Sequence, residues 1–336
     1  VGIIKSSNLC TEIVQYSDNT EYACCTLASV GLPKFVDVKT FPRDKTMHIY
    51  SKEACEYCDV AVAQCKKYDI PYVKHVLDVG FTRNELEQKL RVEKAYRSER
   101  LTFPQIFYDD EYVGGCTEMI AYVQPTFNYV KLGEITRTVV RNLNKIVDIN
   151  FYPVEETKRS NQRHRPLGIG VQGLADVYAL MNVAFDSREA TTLNETIFAT
   201  MYYFAMSESV ELAKKEGPYS TFEGSPLHKG QFQFDLWDEE PVKRVSDDVF
   251  LDWDGLREDV QTHGVRNALL LAPMPTASTS QILGNNECIE PYTSNIYVRR
   301  TLAGDFVVVN KHLIRDLTLL GIWNEDMKTR IIVGNG

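Results

Sequence analysis

Hydrophobic positions change their period several times along this chain, and each change predicts an element. Short apolar runs at Leu9–Ile13 and Leu27–Val30 suit strands or buried loops. Met47-His48-Ile49-Tyr50 predicts a short buried strand, followed by Cys55-Glu56-Tyr57-Cys58 and a helical stretch to Tyr68. Tyr72–Val76 reads as a second strand, and Asn84 to about Arg97 as a charged amphipathic helix. Gln105–Tyr108 and Tyr112-Val113 flank an Asp109-Asp110 turn as the arms of a hairpin. From Phe127 the helical period dominates, over Leu132–Asn144, Leu167–Met181 and Ala190–Lys215. Short strands follow at Leu269–Leu271 and Phe306–Val309.

Composition narrows the class. A chain of 336 residues is long enough for about two domains, and 44% apolar with 25% charged residues is ordinary for a globular protein. A net charge of -9 argues against a general nucleic-acid or membrane-surface binder, since attraction to phosphate needs a basic surface. No apolar run approaches the roughly 20 residues that span a bilayer, and no basic start leads into an apolar stretch. Eight irregularly spaced cysteines with one Cys-x-x-Cys suit catalytic thiols in a reducing cytoplasm better than a disulfide scaffold. The start at Val1 and the stop directly after an apolar run read as those of a fragment.

The middle of the chain has a β-α-β-α-β-β order, the thioredoxin-like arrangement. A Cys-x-x-Cys at its strand-to-helix junction puts the first sulfur at a helix N-terminus, where unpaired N–H groups favour the thiolate. The second sulfur can attack the mixed disulfide that the first one forms. Half a zinc site and two inert core thiols are the alternatives; for zinc, no second thiol or His pair lies at suitable spacing. Thr102-Phe103-Pro104-Gln105 resembles the cis-proline segment that faces the dithiol in this fold. Gly114-Gly115-Cys116-Thr117 resembles the glycine pair that lets a helix begin close to glutathione, and Lys52 stands three residues before Cys55. Together these motifs resemble glutaredoxin over essentially the whole of residues 39–124. The resemblance implies Cys55 as nucleophile, Cys58 as resolving thiol and glutathione as reductant. It also implies glutathione contacts at Lys52, Tyr57, Phe103, Pro104, Gly115, Cys116 and Thr117. Two departures stand out: Glu56 replaces the usual proline and should disfavour the Cys55 thiolate, and Glu118 stands where an aspartate commonly holds the glutathione amino group. Cys65 reads as a buried apolar residue.

The flanks carry a second pattern. Asn8, Cys10 and Glu12 alternate, so in an extended segment all three share one face. A thiol, a carboxylate and an amide on one face can abstract hydrogen, take a proton and orient a hydroxyl, although a buried cysteine between surface polar groups is the plainer account of that segment alone. Tyr22-Ala23-Cys24-Cys25-Thr26-Leu27-Ala28-Ser29, the run Arg163–Asp176 and the run Ala272–Glu287 accompany it. These motifs closely resemble the class I ribonucleotide reductase large subunit, over nearly all residues outside the insert. The resemblance implies Cys10 as the thiyl-radical cysteine and Glu12 as the carboxylate that takes the 3′-hydroxyl proton. It implies Asn8 as the amide that holds substrate and Cys25 as one of two reducing thiols, leaving Cys24 structural. Thr276, Ala277, Ser278, Thr279 and Ser280 resemble the loop that receives the substrate diphosphate, as small hydroxyl residues and backbone N–H groups at a helix start can. Gly168-Ile169-Gly170-Val171-Gln172-Gly173 lacks the βαβ context of a dinucleotide loop and reads as close packing of a helix. Arg163, His164 and Arg165 read most simply as a solvated basic turn, with a phosphate-facing role as the alternative.

The expected fold is therefore α/β: part of a ten-stranded barrel of the ribonucleotide reductase type (residues 1–38 and 125–336) interrupted by a thioredoxin-fold glutaredoxin domain (39–124). The expected activity is reduction of ribonucleoside diphosphates by thiyl-radical chemistry, with a built-in glutathione-dependent reductant. Alternatives are a fragment active only as a disulfide oxidoreductase, or a split half that needs a complementary chain. The resemblance further implies a small β subunit carrying a metal-radical cofactor, no metal in this chain, effector nucleotides bound elsewhere, and an α homodimer at full length. On the same grounds the upstream thiol that pairs with Cys25 and the tail dithiol are expected to lie outside this chain. Neither nucleic acid nor membrane is expected as a partner.

Overall fold

The structure is a computed structural model that describes Ile4 and residues 7–92, 101–302, 304–334 and 336. Along the chain, β1 (Leu27–Gly31) leads through a 3-10 turn to β2 (Val36–Asp37). Then come β3 (Met47–Ser51), α1 (Glu56–Lys67), β4 (Tyr72–Val76), α2 (Arg83–Val92), β5 (Gln105–Tyr108), β6 (Glu111–Gly114), α3 (Cys116–Val123) and β7 (Thr126–Phe127). The remainder holds α4 (Tyr129–Ile149), α5 (Glu155–His164), β8 (Gly168–Gln172), α6 (Leu174–Met181), α7 (Arg188–Glu216), α8 (Gln233–Leu236), α9 (Trp253–His263) and α10 (Thr279–Leu283). It closes with β9 (Ile296–Thr301), β10 (Gly304–Val309), α11 (Lys311–Leu319) and α12 (Glu325–Val333). Contacts divide the chain into two compact units. One runs to Val36, resumes at Phe127 and ends at Thr293; the other comprises Asp37–Thr126 and Ser294–Gly336.

In the first unit, β1 and β8 pair in parallel, from Leu27 opposite Gly168 to Gly31 opposite Gln172. Every residue of β8 is buried, and Ile169 and Val171 join the core that α4 and α7 cover. This corrects the helix expected over Leu167–Met181. A strand buried on both faces shows no alternation of polarity, so its apolar run merged with that of α6. Gly173, at φ 80°, separates the two elements. The expected strand at Leu269–Leu271 is a single parallel bridge, Leu271 to Ile169. The glycines of β8 serve strand packing rather than helix packing. A Cβ on Gly170 would come within 2.7 Å of Met274 Sδ and 2.8 Å of the Ala272 carbonyl oxygen.

The basic triplet is only partly solvated: Arg163 is exposed, but His164 is half-buried and Arg165 buried. Arg165 ends α5 at φ 46° with its side chain buried, bonding both oxygens of Asp148 at 2.6 and 3.0 Å and the Asn144 carbonyl at 3.1 Å. Arg163 and His164 reach Glu21, each at 3.2 Å, and His164 Nδ1 lies 2.8 Å from Thr221 Oγ1. Glu21 is 1% exposed, and a carboxylate taken out of water so completely requires such partners.

Within the second unit, residues 37–126 form a four-stranded sheet in the order β4-β3-β5-β6, with β3 parallel to β4 and antiparallel to β5. Met47, Ile49, Ala61, Cys65, Ile106 and Met119 fill one face beneath α1 and α3; Leu86, Leu90, Leu101 and Phe107 fill the other beneath α2. The expected hairpin turns at Asp109 with φ 51°. Helix α2 begins at Arg83, and the continuation expected to Arg97 lies outside the described residues. Residues 294–336 form the antiparallel β9–β10 hairpin and two helices.

Candidate functional site

The segment holding Asn8, Cys10 and Glu12 is a closed loop, not the extended strand that alternation predicts. Thr11 N–H donates to the Asn8 carbonyl at 3.1 Å and Asn8 N–H to the Ile13 carbonyl at 3.0 Å, with Thr11 at φ 62°. Two short-range backbone bonds turn the chain here, which leaves Leu9 97% exposed and Cys10 exposed beside it. The loop still gathers the expected groups, by folding back rather than by alternation. Glu12 accepts the Cys10 backbone N–H at 2.9 Å and lies 3.5 Å from Cys25 Sγ. Asn8 Nδ2 donates to Cys25 Sγ and, at 3.1 Å, to Gln15 Oε1. Burial is the largest cause that pushes the Cys25 thiol up; Glu12 adds to it and the Asn8 N–H opposes it. Asn8, Gln15, Ser17 and Cys25 line a cavity of about 290 Å³. Cys24 is half-buried, and burial pushes its thiol up as well.

Strand β1 continues from Cys25 toward the second expected cluster. Thr276 adopts φ 56°, is buried, and its Oγ1 accepts the Cys288 N–H at 2.8 Å. Ala277 and the N-cap Ser278 lead into α10, whose Ser280 is fully buried with an Oγ that has no partner among the described residues. Thr279 Oγ1 lies 3.4 Å from Ser29 Oγ. Ser29 in turn accepts from Gln172 at 2.8 Å, and Asn285 donates to Gln172 at 3.2 Å. This relay fastens the loop to the C-terminal ends of two parallel strands, where side chains and loops of such sheets converge on ligands. Ser29, Gln172 and Asn285 lie within the quoted motifs, but the motifs alone assign them no role. Gln172, the one polar side chain in an otherwise apolar and glycine-rich strand, is the signal that marks them.

In the insert, Cys55 and Cys58 are joined as a disulfide at the N-terminus of α1. Cys55 Sγ accepts the Cys58 N–H at 3.3 Å. Cys55 is 7% and Cys58 0% exposed, so the first sulfur is the more accessible. The Phe103–Pro104 bond is cis, and a Cβ on Gly115 would lie 3.7 Å from the Pro104 carbonyl oxygen, which sets the proline segment beside the glycine pair. Lys52, Tyr57 and Thr117 are exposed, Phe103, Gly115 and Cys116 are half-buried, and Pro104 is buried. Burial, and then Glu118, pushes the Cys116 thiol up. Glu118 closes the N-terminus of α3 by accepting the Gly115 N–H at 2.9 Å. The expected buried, apolar Cys65 is fully enclosed, and burial pushes its thiol up to about 12. Among the described residues no group of three or more His, Cys, Asp or Glu is placed to hold a metal ion, and no helix is long and apolar enough to cross a membrane.

The fold and its two thiol clusters define an α/β chain that carries a dithiol domain of thioredoxin-like sheet order. Comparison with known proteins makes the assignment specific. The chain belongs to the ribonucleotide reductase barrel-domain family, which it matches over residues 1–78 and 115–335; residues 48–113 match glutaredoxin. It is 45% identical over 336 residues to a ribonucleoside-diphosphate reductase large subunit of Arabidopsis thaliana and 43% to one of Caenorhabditis elegans. A ribonucleoside-diphosphate reductase large chain of Neurospora crassa is 42% identical over the same length. These alignments cover all of the chain but 32%, 31% and 26% of the relatives, so it spans about a third of their length. The resemblance drawn from the motifs and the expected fold class are both borne out.

Proposed function

We propose that this chain supplies the thiol chemistry of a ribonucleoside-diphosphate reductase large subunit, with Cys10, Glu12, Asn8 and Cys25 as reacting and holding groups. The observation that carries the reading is the convergence of Asn8 and Glu12 on Cys25, with the Cys10 amide held by the same Glu12. Cys10, as a thiyl, takes the hydrogen atom from the ribose 3′-carbon, and Glu12 takes the 3′-hydroxyl proton. The 2′-hydroxyl leaves as water. Cys25 and a second thiol supply two electrons and two protons and end as a disulfide, while the 3′-hydrogen returns from Cys10. A metal-radical cofactor in a small β subunit would supply the oxidising equivalent that makes the thiyl. The buried Ser280 hydroxyl and the tethered 276–280 loop support binding of the substrate diphosphate there.

In the insert, Cys55 attacks a disulfide, Cys58 displaces the product thiol, and glutathione restores the pair. Its exposed Lys52 and Tyr57 beside the dithiol suit a glutathione carboxylate and backbone. Tethering such a reductant to its substrate raises its effective concentration to roughly millimolar where the geometry permits. Effector nucleotides, the α homodimer and a cytoplasmic site of action complete this reading. The test is reduction of a ribonucleoside diphosphate by the full-length chain that carries these residues, with its small subunit and dithiothreitol. Cys10→Ser is expected to abolish turnover; retained turnover would overturn the assignment.

A further inference from the structure

Gln15 is a polar residue in an inward position. In the extended stretch 13–15, Ile13 and Gln15 are buried and Val14 is exposed, so the glutamine occupies a place that alternation reserves for an apolar side chain. It is 7% exposed, and its Oε1 accepts the Asn8 Nδ2 at 3.1 Å. Its own Nε2 is buried with no partner among the described residues, and the residue borders the cavity that Cys25 also lines. A buried amide left half-used is costly, so Gln15 is not a filler of the core.

The geometry of Asn8 explains what Gln15 does. Both contacts of the Asn8 amide nitrogen are committed, one to Gln15 Oε1 and one to Cys25 Sγ. Rotation about the last bond of an asparagine is broad and roughly two-fold, so nothing within Asn8 itself decides which end faces the thiol. Gln15 supplies the acceptor that fixes the nitrogen end there and leaves the Asn8 oxygen for a ligand. We propose that Gln15 is a positioning residue that orients Asn8 against Cys25. This rests on the reading of Cys25 as a reacting thiol, but its test needs no turnover.

The readout is the pH profile of Cys25 alkylation by iodoacetamide in this chain, followed by mass spectrometry of the peptide that holds it. With Gln15→Met, Asn8 loses its restraint and its N–H no longer favours the thiolate, so alkylation at fixed pH slows by about threefold, a shift of ~0.5 pH unit. In an Asn8→Ala background the same substitution has no effect, because a residue that acts through a partner loses its influence with the partner. No change in the parent background, or an equal change in both, overturns the proposal. If Gln15→Met fails to fold, Gln15→Asn, which keeps the amide and withdraws it by one methylene, completes the same cycle with the same outcomes. Failure of the reductase reading would show separately, as absent turnover in an enzyme whose Cys25 profile still responds to Gln15.

Discussion

Glu12 holds the backbone N–H of Cys10 at 2.9 Å with one carboxylate oxygen and turns the other toward Cys25, 3.5 Å away. One carboxylate thus fixes the loop that presents one thiol and raises the proton affinity of another. Glu12→Gln keeps the shape but removes the base, and a positioned general base contributes about 10²–10⁴-fold. Turnover of the reductase is expected to fall in that range. Cys25 is expected to alkylate faster in the same variant at pH 8, because Glu12 is one of the causes that push its thiol up. An unchanged alkylation rate would separate the two residues.

Gly170→Ala forces a methyl group against Met274 Sδ at 2.7 Å and the Ala272 carbonyl at 2.8 Å. The backbone atom cannot swing aside, so overpacking is expected to cost about 1–3 kcal/mol. The displaced segment leads directly into Thr276. A lower midpoint in urea together with a raised KM for the diphosphate substrate is the expected pair of effects, read by denaturation and steady-state kinetics.

Arg165→Met removes a buried guanidinium that bonds the half-exposed Asp148 and the buried Asn144, with an expected loss of about 1–3 kcal/mol, mostly from the Asn144 groups left unpaired. Arg165 holds Asp148 below its ordinary carboxylate value of 3.8. A depressed carboxylate stabilises the fold above its unfolded value and loses that contribution as the pH falls through the folded one. The penalty is therefore expected in full at pH 7 and reduced below about pH 4. Urea unfolding of both proteins at pH 7 and pH 3 checks this; an equal penalty at both would assign the whole effect to Asn144 and packing.

Cys55→Ser is expected to eliminate glutathione-dependent reduction of a mixed disulfide, whereas Cys58→Ser is expected to trap glutathione on Cys55. Mass spectrometry after incubation with oxidised glutathione distinguishes the two. The prediction follows from their exposure: Cys55 lies at the helix start with some surface, and Cys58 has none.

Much of the insert is legible from sequence because each of its elements shows a different period and its motifs are local. The reductase core is less so. Residues of β8 are buried on both faces and carry no alternation, so the strand reads as an extension of α6. Arg163–Arg165 read as solvated because their partners, Glu21, Asp148 and Thr221, are remote in sequence. Asn8, Cys10 and Glu12 lie in a loop where alternation predicts an extended strand, because two backbone bonds, invisible in residue type, turn the chain there. Gln15 carries a visible signal, a glutamine in an inward register, that a search for reactive groups passes over.

Phe35 and Phe127, close to either side of residues 37–126, bring their tilted rings within 6.1 Å, and Asn128 N–H donates to the Phe35 carbonyl at 2.7 Å. The host chain is therefore already closed across the gap before residues 37–126 are counted. Folded domains whose ends lie close together are the ones that tolerate insertion. A gene could gain or shed such a module by one pair of recombination events, without asking any host strand to move. Such a module has the character of a cassette, set between two host residues that already meet.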